Sequence, residues 1–191
     1  MHAQALRAQP LRRALWGPAL ALTLTLAACA STSGGGAAGP EAGASFSPFR
    51  EKDLDGKTFD LAPSVGRDVI LISFWATWCE PCKGEMPHLQ TFHDAYAKDG
   101  LVIVSIALDG PDTAAEVAPY IRKQGYTFPV LLDQHGDLAQ TLNPTSSAPF
   151  AILVGRDGKV VRRFAGFQPS EAKALDAELK ALLAAPAQPT P

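Results

Sequence analysis

Residues 74–87 read FWATWCEPCKGEMP. Two thiols, Cys79 and Cys82, stand three positions apart with Glu80 and Pro81 between them, directly after the apolar run Val69–Trp75 (VILISFW) and at the head of a segment with helical spacing. A strand that passes into a helix through such a pair places both sulfurs at a helix N-terminus, where unpaired backbone N–H groups stabilise a thiolate. Thiols on one helical turn can also close a disulfide with little backbone movement. Cys79, at or just before the first turn, reads as the exposed nucleophile, and Cys82, one turn in and beneath it, as the resolving thiol. Pro81 suits the first turn because its missing N–H would be unpaired there in any helix. Trp78 is expected to pack beside the sulfurs and shield them. Glu80, if close to them, would raise the thiolate pKa by like-charge repulsion and leave the pair a weaker oxidant.

Two other uses of the thiols compete with redox chemistry. A disulfide that merely staples this loop removes little unfolded-state entropy, because the closed loop is so short. Zinc needs further ligands, and His88, His93 and His135 lie at no recognisable Cys/His spacing; they read as helix-surface or loop residues. Cu(I) favours soft thiolates, so a copper chaperone using Cys79, Cys82 and His135 stands as the rival reading.

Outward from the cysteines the chain alternates. Phe49–Leu54, Asp55-Gly56 and Lys57–Leu61 read as a β-hairpin, since Asp-Gly tolerates the positive φ of a tight turn. Val69–Trp75 is continuous and β-branched, as in a strand covered on both faces. Residues 82–98 suit a helix, with Met86, Leu89, Phe92, His93 and Tyr96 three and four apart and Asp99-Gly100 as its stop. Leu101–Leu108 (LVIVSIAL) is a second buried strand. Residues 113–124 form a helix with Thr113 as N-cap and Glu116 at its third position, in which Pro119 should kink the chain or mark the true first turn. A short strand over 130–133, a short helix over 137–142, a hairpin of 150–154 and 160–164 about Arg156-Asp157-Gly158, and a terminal helix over 170–184 capped by Ser170 complete the pattern. Such an order implies an α/β domain with a central mixed β-sheet and helices on both faces.

The N-terminal residues read as an address. Arg7, Arg12 and Arg13 precede the uncharged run Ala14–Ala28 (ALWGPALALTLTLAA), the layout of a secretory signal. At about 15 residues, interrupted by Gly17-Pro18, this run is short for a spanning helix, which needs ~20. It ends in Leu26-Ala27-Ala28-Cys29, which resembles the lipobox of bacterial lipoproteins; that resemblance implies cleavage before Cys29 and lipid modification of its thiol. The following ASTSGGGAAGPEAGASFSP, residues 30–48, is too poor in apolar side chains to fold and reads as a flexible tether.

Composition bounds the rest. The 191 residues carry 17 Lys and Arg against 19 Asp and Glu, a net charge of −2. Losing three arginines with the signal leaves 14 cations against the same 19 acids, near −5, which excludes the clustered cations that nucleic-acid binding requires. Three cysteines in all are too few for a disulfide framework. No dinucleotide fingerprint is present, so no nicotinamide or flavin cofactor is expected.

FWATWCEPC, the preceding LDGKTFDL, and the later FPVLLD and PFAILVGRDGKV resemble the TlpA/ResA-type thioredoxin-like proteins over about residues 46–184. That resemblance implies a thioredoxin fold, a Cys79/Cys82 dithiol and a reducing role outside the cytoplasm, often in cytochrome c maturation or in reducing metallochaperone cysteines. It implies a cis peptide at Pro149, with a backbone group of Ala148 facing the substrate strand. Ser73 falls where cytoplasmic thioredoxins carry a buried Asp, and a hydroxyl cannot take over its proton relay. Glu85 matches an acidic position of the ResA-like proteins and could serve instead, or it could be an ordinary first-turn acid complementing the helix dipole. The chain departs from the family at Asn143–Ala151 (NPTSSAPFA), so the substrate groove is altered.

The expectation is therefore a signal peptide over 1–28, a tether over 29–48, a thioredoxin-like domain with an N-terminal β-hairpin over 49–185, and a tail over 186–191. The function expected is a lipid-anchored, extracytoplasmic thiol-disulfide oxidoreductase. It would reduce disulfides of partner proteins and be recycled by a membrane electron donor. Besides copper carriage, a peroxidase on the same fold is the other alternative, which the second thiol Cys82 and the Trp before Cys79 fit poorly.

Overall fold

A computed structural model describes residues 41–186. The expected signal peptide, Cys29, most of the tether and nearly all of the tail lie outside the described residues. The elements are β1 (Arg50–Lys52), β2 (Thr58–Asp60), β3 (Val69–Trp75), α1 (Glu80–Tyr96), β4 (Leu101–Ala107), α2 (Ala114–Gln124), β5 (Val130–Leu132), α3 (Asp137–Leu142), β6 (Phe150–Val154), β7 (Val160–Ala165) and α4 (Ala172–Ala184). Strands β3 to β7 form one sheet in the order β5-β4-β3-β6-β7, and β1 pairs with β2 in a separate two-stranded sheet. β3 runs parallel to β4 and antiparallel to β6, giving the mixed sheet expected.

Every residue of β3 is buried, because both its faces are covered. Val69, Leu71 and Trp75 point with Leu101, Ile103 and Ala107 of β4 toward apolar residues of α1, α2 and α4. Ile70, Ile72 and Phe74 point the other way, into a second cluster with Ala139 and Leu142 of α3 and with Phe46 and Leu61. Each such aliphatic side chain fully removed from water contributes about 1.5–3 kcal/mol. The period of two places Ser73 on the α1 face, between Leu71 and Trp75.

Several local expectations are corrected. The tether was expected to run to residue 48. It ends earlier: Gly43 donates to the Val160 carbonyl at 2.7 Å, Phe46 donates to that of Gly158 at 2.8 Å, and Phe46 is buried. Backbone hydrogen bonds to the open edge of β7 order this segment even though it offers few apolar side chains. α1 begins at Glu80 rather than Cys82, and a 3-10 turn over Ala97–Asp99 ends it. α2 starts at Ala114 and runs through Pro119, and the Thr113 side chain makes no capping bond. At α4 the chain enters through a 3-10 turn over Pro169–Glu171, where the Gln168 N–H donates to Glu171 Oε2 at 3.0 Å, so Gln168 and not Ser170 holds the start. The β1–β2 turn forms as expected, with Gly56 at φ 77° and the Asp53 carboxyl accepting from the N–H groups of Asp55 and Lys57 at 3.0 and 2.8 Å.

Candidate active site

The C-terminal ends of β3 and β4 build the site. β3 and β4 are in register to Trp75 opposite Ala107. Two residues beyond that pair stand Thr77 and Asp109, and two beyond Thr77 is Cys79. The Leu108 N–H donates to the Trp75 carbonyl at 2.8 Å, and the Cys79 N–H turns back to the Ala76 carbonyl at 3.1 Å. That tight turn delivers Cys79 as the N-cap of α1, in extended conformation, with Glu80 and Pro81 in the first turn.

Cys79 and Cys82 form a disulfide, with Cα atoms 5.3 Å apart. Cys79 Sγ accepts the Cys82 N–H at 3.3 Å. The backbone donor expected to stabilise a thiolate is thus aimed at Cys79, whereas Cys82 sits wholly inside the core: Cys79 keeps 5% exposure and Cys82 none. Trp78, expected to shield the sulfurs, stands out from the loop at 58% exposure. Its position between a turn and a helix start leaves the indole no core to enter. Glu80 is also corrected. Its carboxylate bonds to Lys83 Nζ at 2.7 Å with 81% of the side chain exposed, so a cation and solvent screen it from the sulfurs.

Glu85 is the buried acid of the helix. It lies three residues after Cys82, on the same face of α1, at 1% exposure. Ser73 Oγ donates to its Oε2 at 3.2 Å. The carboxyl that β3 lacks at Ser73 is therefore brought to the same place by α1. Burial pushes the Glu85 carboxyl up to about 7, and the Ser73 hydrogen bond offsets only part of that rise.

The loop that leads to Pro149 is organised by Asn143, which sequence reasoning passed over. Asn143 is fully buried. Its Nδ2 donates to the Ser147 carbonyl at 2.8 Å, and its Oδ1 accepts from Ser147 N–H at 3.2 Å and Thr145 Oγ1 at 3.3 Å. These bonds shape the Pro144–Ser147 departure and hold Ser146 at φ 47°. The Ala148–Pro149 peptide that follows is cis, as the resemblance implied.

Also missed were Thr77 and Asp109. The Thr77 N–H donates to both Asp109 oxygens at 3.0 and 3.3 Å, and its hydroxyl donates to Oδ1. The available signal was position, since an acid directly past a buried strand, at the carboxyl end that carries the cysteines, faces the site in an α/β sheet.

His88 packs against Phe167 and His93 against Phe128, with ring centroids 5.3 and 6.2 Å apart; His135 is exposed between β5 and α3. Among the described residues no group of three or more His, Cys, Asp or Glu is placed to hold a metal ion. The Cys79/Cys82/His135 copper set is thus not brought together.

Comparisons with known proteins agree with this geometry. The Redoxin family model matches residues 41–179. The thiol-disulfide oxidoreductase ResA of Bacillus thuringiensis subsp. konkukian (strain 97-27) is 35% identical over 123 residues, covering 64% of this chain and 69% of that protein. A crystal structure assigned as the thiol:disulfide interchange protein DsbE of Chlorobium tepidum superposes with TM-score 0.68 at 26% identity, over 75% of this chain and 99% of the other. The exposed lipoprotein thioredoxin of Streptococcus pneumoniae strain TIGR4 does so with TM-score 0.60 at 27% identity, over 71% and 100%. With a buried strand that turns into a Cys-capped helix and a disulfide within that helix's first turn, the chain belongs to the redoxin family as a thioredoxin-like thiol-disulfide oxidoreductase of the TlpA/ResA type.

Proposed function

We propose that this oxidoreductase works outside the cytoplasm, tethered by a lipid on Cys29, and reduces disulfides of partner proteins of the cytochrome c maturation or metallochaperone kind. The observation that carries the exchange chemistry is the placement of Glu85, a buried carboxyl held near 7, one turn below the buried sulfur of Cys82; the reducing direction is what the family resemblance implies, and the potential below tests it.

In the first step the Cys79 thiolate attacks one sulfur of the partner's disulfide. A Cys79–partner mixed disulfide forms and the partner's other sulfur leaves as a thiolate. The Cys82 thiol then gives its proton to the Glu85 carboxylate and, as thiolate, attacks Cys79 Sγ. The Cys79–Cys82 disulfide closes, the partner's second thiolate is expelled, and two electrons have passed to the partner. A carboxyl near 7 suits this work, because its basic form is populated at neutral pH while its affinity for the proton is higher than that of an ordinary Glu. The peptide group of Ala148 beside the cis bond, and the exposed Trp78, offer the partner strand a backbone hydrogen bond and an apolar contact. A membrane thiol reductant returns the disulfide to the dithiol.

The lipid anchor is supported by the Leu26–Cys29 pattern and by the similarity to an exposed lipoprotein thioredoxin. Two measurements test the whole. Equilibration of the Cys79/Cys82 couple with glutathione should give a potential toward the thioredoxin value of about −270 mV; one near −120 mV would make the protein an oxidant. Cys29→Ser should move the protein from the membrane to the soluble fraction, and unchanged fractionation would overturn the anchor.

A further inference from the structure

Two of the four buried acids among the described residues have a plain structural occupation, and Glu85 belongs to the site already described. Asp68 pairs with Arg67, and Asp133 caps α3 by accepting from the N–H groups of Leu138 and Ala139 at 3.1 and 2.7 Å. Asp109 differs. It has no measurable exposure and no cation against it, and every side-chain hydrogen bond it makes goes to Thr77. An acid buried without a counter-ion is costly, and it persists where its partners over-determine it.

Thr77 lies on the turn that presents the nucleophile. The chain from Thr77 to Glu80 has little else to fix it to the sheet: Trp78 and Glu80 point to solvent, the Cys79 N–H closes the turn on the Ala76 carbonyl, and the Cys79 carbonyl accepts from Lys83 N–H at 3.2 Å, which ties it to α1 alone. When the Cys79–Cys82 bond opens, the sulfur cross-link between this turn and the first turn of α1 is also lost. The grip of Asp109 on Thr77 does not depend on that bond, and it joins the turn to the end of β4, a strand whose own backbone is laced to β3.

We propose that Asp109, through its hydrogen bonds to the Thr77 amide and hydroxyl, is a positioning residue that holds the Cys79 turn in register with the N-terminus of α1 while the dithiol is reduced. The inference rests on the thiol-disulfide reading of the site and adds a residue to it. What matters is an acceptor at this place rather than a charge. In the reduced protein the grip keeps Cys79 Sγ within reach of the Cys82 N–H, which favours the thiolate. Glu85, from α1, and the exposed Glu80–Lys83 pair are the other charged groups bearing on the dithiol, and the variants below leave them untouched.

The test compares Asp109→Ala, Asp109→Asn, Thr77→Val and Thr77→Ser in the full chain. The first readout is the rate at which the reduced protein attacks oxidised glutathione. The second is the pH midpoint of Cys79 alkylation by iodoacetamide. Asp109→Ala should slow attack by about tenfold, because small misplacements of a reacting atom are expensive. Asp109→Asn, which retains an oxygen acceptor for the Thr77 N–H, should stay within about twofold of the parent. Thr77→Val, which keeps its amide and its bulk, should raise the alkylation midpoint, and Thr77→Ser should restore it. Asp109→Asn as slow as Asp109→Ala would overturn the assignment in favour of a charge effect. An unshifted midpoint in Thr77→Val would overturn it outright, and that variant keeps the test decisive if Asp109→Ala does not fold. Alkylation needs no partner, so a parent protein inert toward disulfides would sink the functional reading while the midpoints still judge the grip.

Discussion

Glu85 and Asp109 are both acids, both lost to solvent, and both bonded to the chain that leads into the dithiol, Glu85 from α1 to Ser73 within β3 and Asp109 from the end of β4 to Thr77 just past it. Their surroundings differ in one respect, the supply of donors. Glu85 receives a single hydroxyl at 3.2 Å within an apolar layer, which offsets only part of the cost of burying its charge, and its carboxyl rises to about 7. Asp109 receives an amide and a hydroxyl from one residue, which turns it into a fixed acceptor. In the mechanism we propose, the same functional group serves as a proton carrier where donors are scarce and as a fastener where they are plentiful.

The most severe way to break the comparison is to remove the sulfurs that both acids serve. Cys79→Ser and Cys82→Ser should each abolish multiple-turnover disulfide reduction. Only Cys82→Ser should accumulate a mixed disulfide with the partner, seen as a mass increase reversed by dithiothreitol.

Next in size is the effect of pH on stability. Because the folded Glu85 carboxyl lies near 7 and its ordinary value is 4.5, the unfolded chain releases this proton first. Its contribution is therefore fully present below about 4.5, declines as pH rises toward 7 and is lost above. The swing is on the order of 3 kcal/mol. Denaturation of the oxidised protein at pH 4.5 and at pH 8 should show this decline in the parent and a correspondingly smaller one in Glu85→Gln. Equal declines in both would break the contrast at its first half.

Asp109→Ala should destabilise the oxidised protein by about 1–3 kcal/mol, the cost of orphaning a buried amide and hydroxyl. The loss is measured as the change in urea midpoint of the oxidised protein at pH 8. The smallest effect belongs to the exposed Glu80–Lys83 pair. Glu80→Gln should leave the rate of attack by Cys79 within about twofold, because solvent screens that charge. A large acceleration would show that Glu80 does act on the thiolate.

Half of this contrast was legible in the chain. Glu85 follows Cys82 by three, and helical periodicity alone places the two on one face. The strands 69–75 and 101–107 announce themselves as unbroken apolar runs, and the cysteine pair between strand and helix fixes the rest of the α/β arrangement. Asp109 was not legible, because its partner Thr77 lies 32 residues away and only the register of β3 on β4 brings them together. The ordering of Gly43–Phe46 was hidden for a related reason. It comes from backbone bonds to a sheet edge, which leave no trace in side-chain pattern. Local preference held for position at Thr113, which is the N-cap of α2 although its hydroxyl makes no capping bond, and misled at Ser170, which stands two positions before the start of α4.

The central claim is that Glu85 takes the proton of Cys82 as the mixed disulfide resolves. Its most direct test is a single-turnover measurement of that step against pH, starting from a Cys79–glutathione adduct. In the parent and in Asp109→Asn the rate should climb through a titration near 7. In Glu85→Gln that titration should vanish and the rate at pH 7 should fall by about a hundredfold. A Glu85→Gln protein that keeps the step near 7 at parental rates would contradict the account.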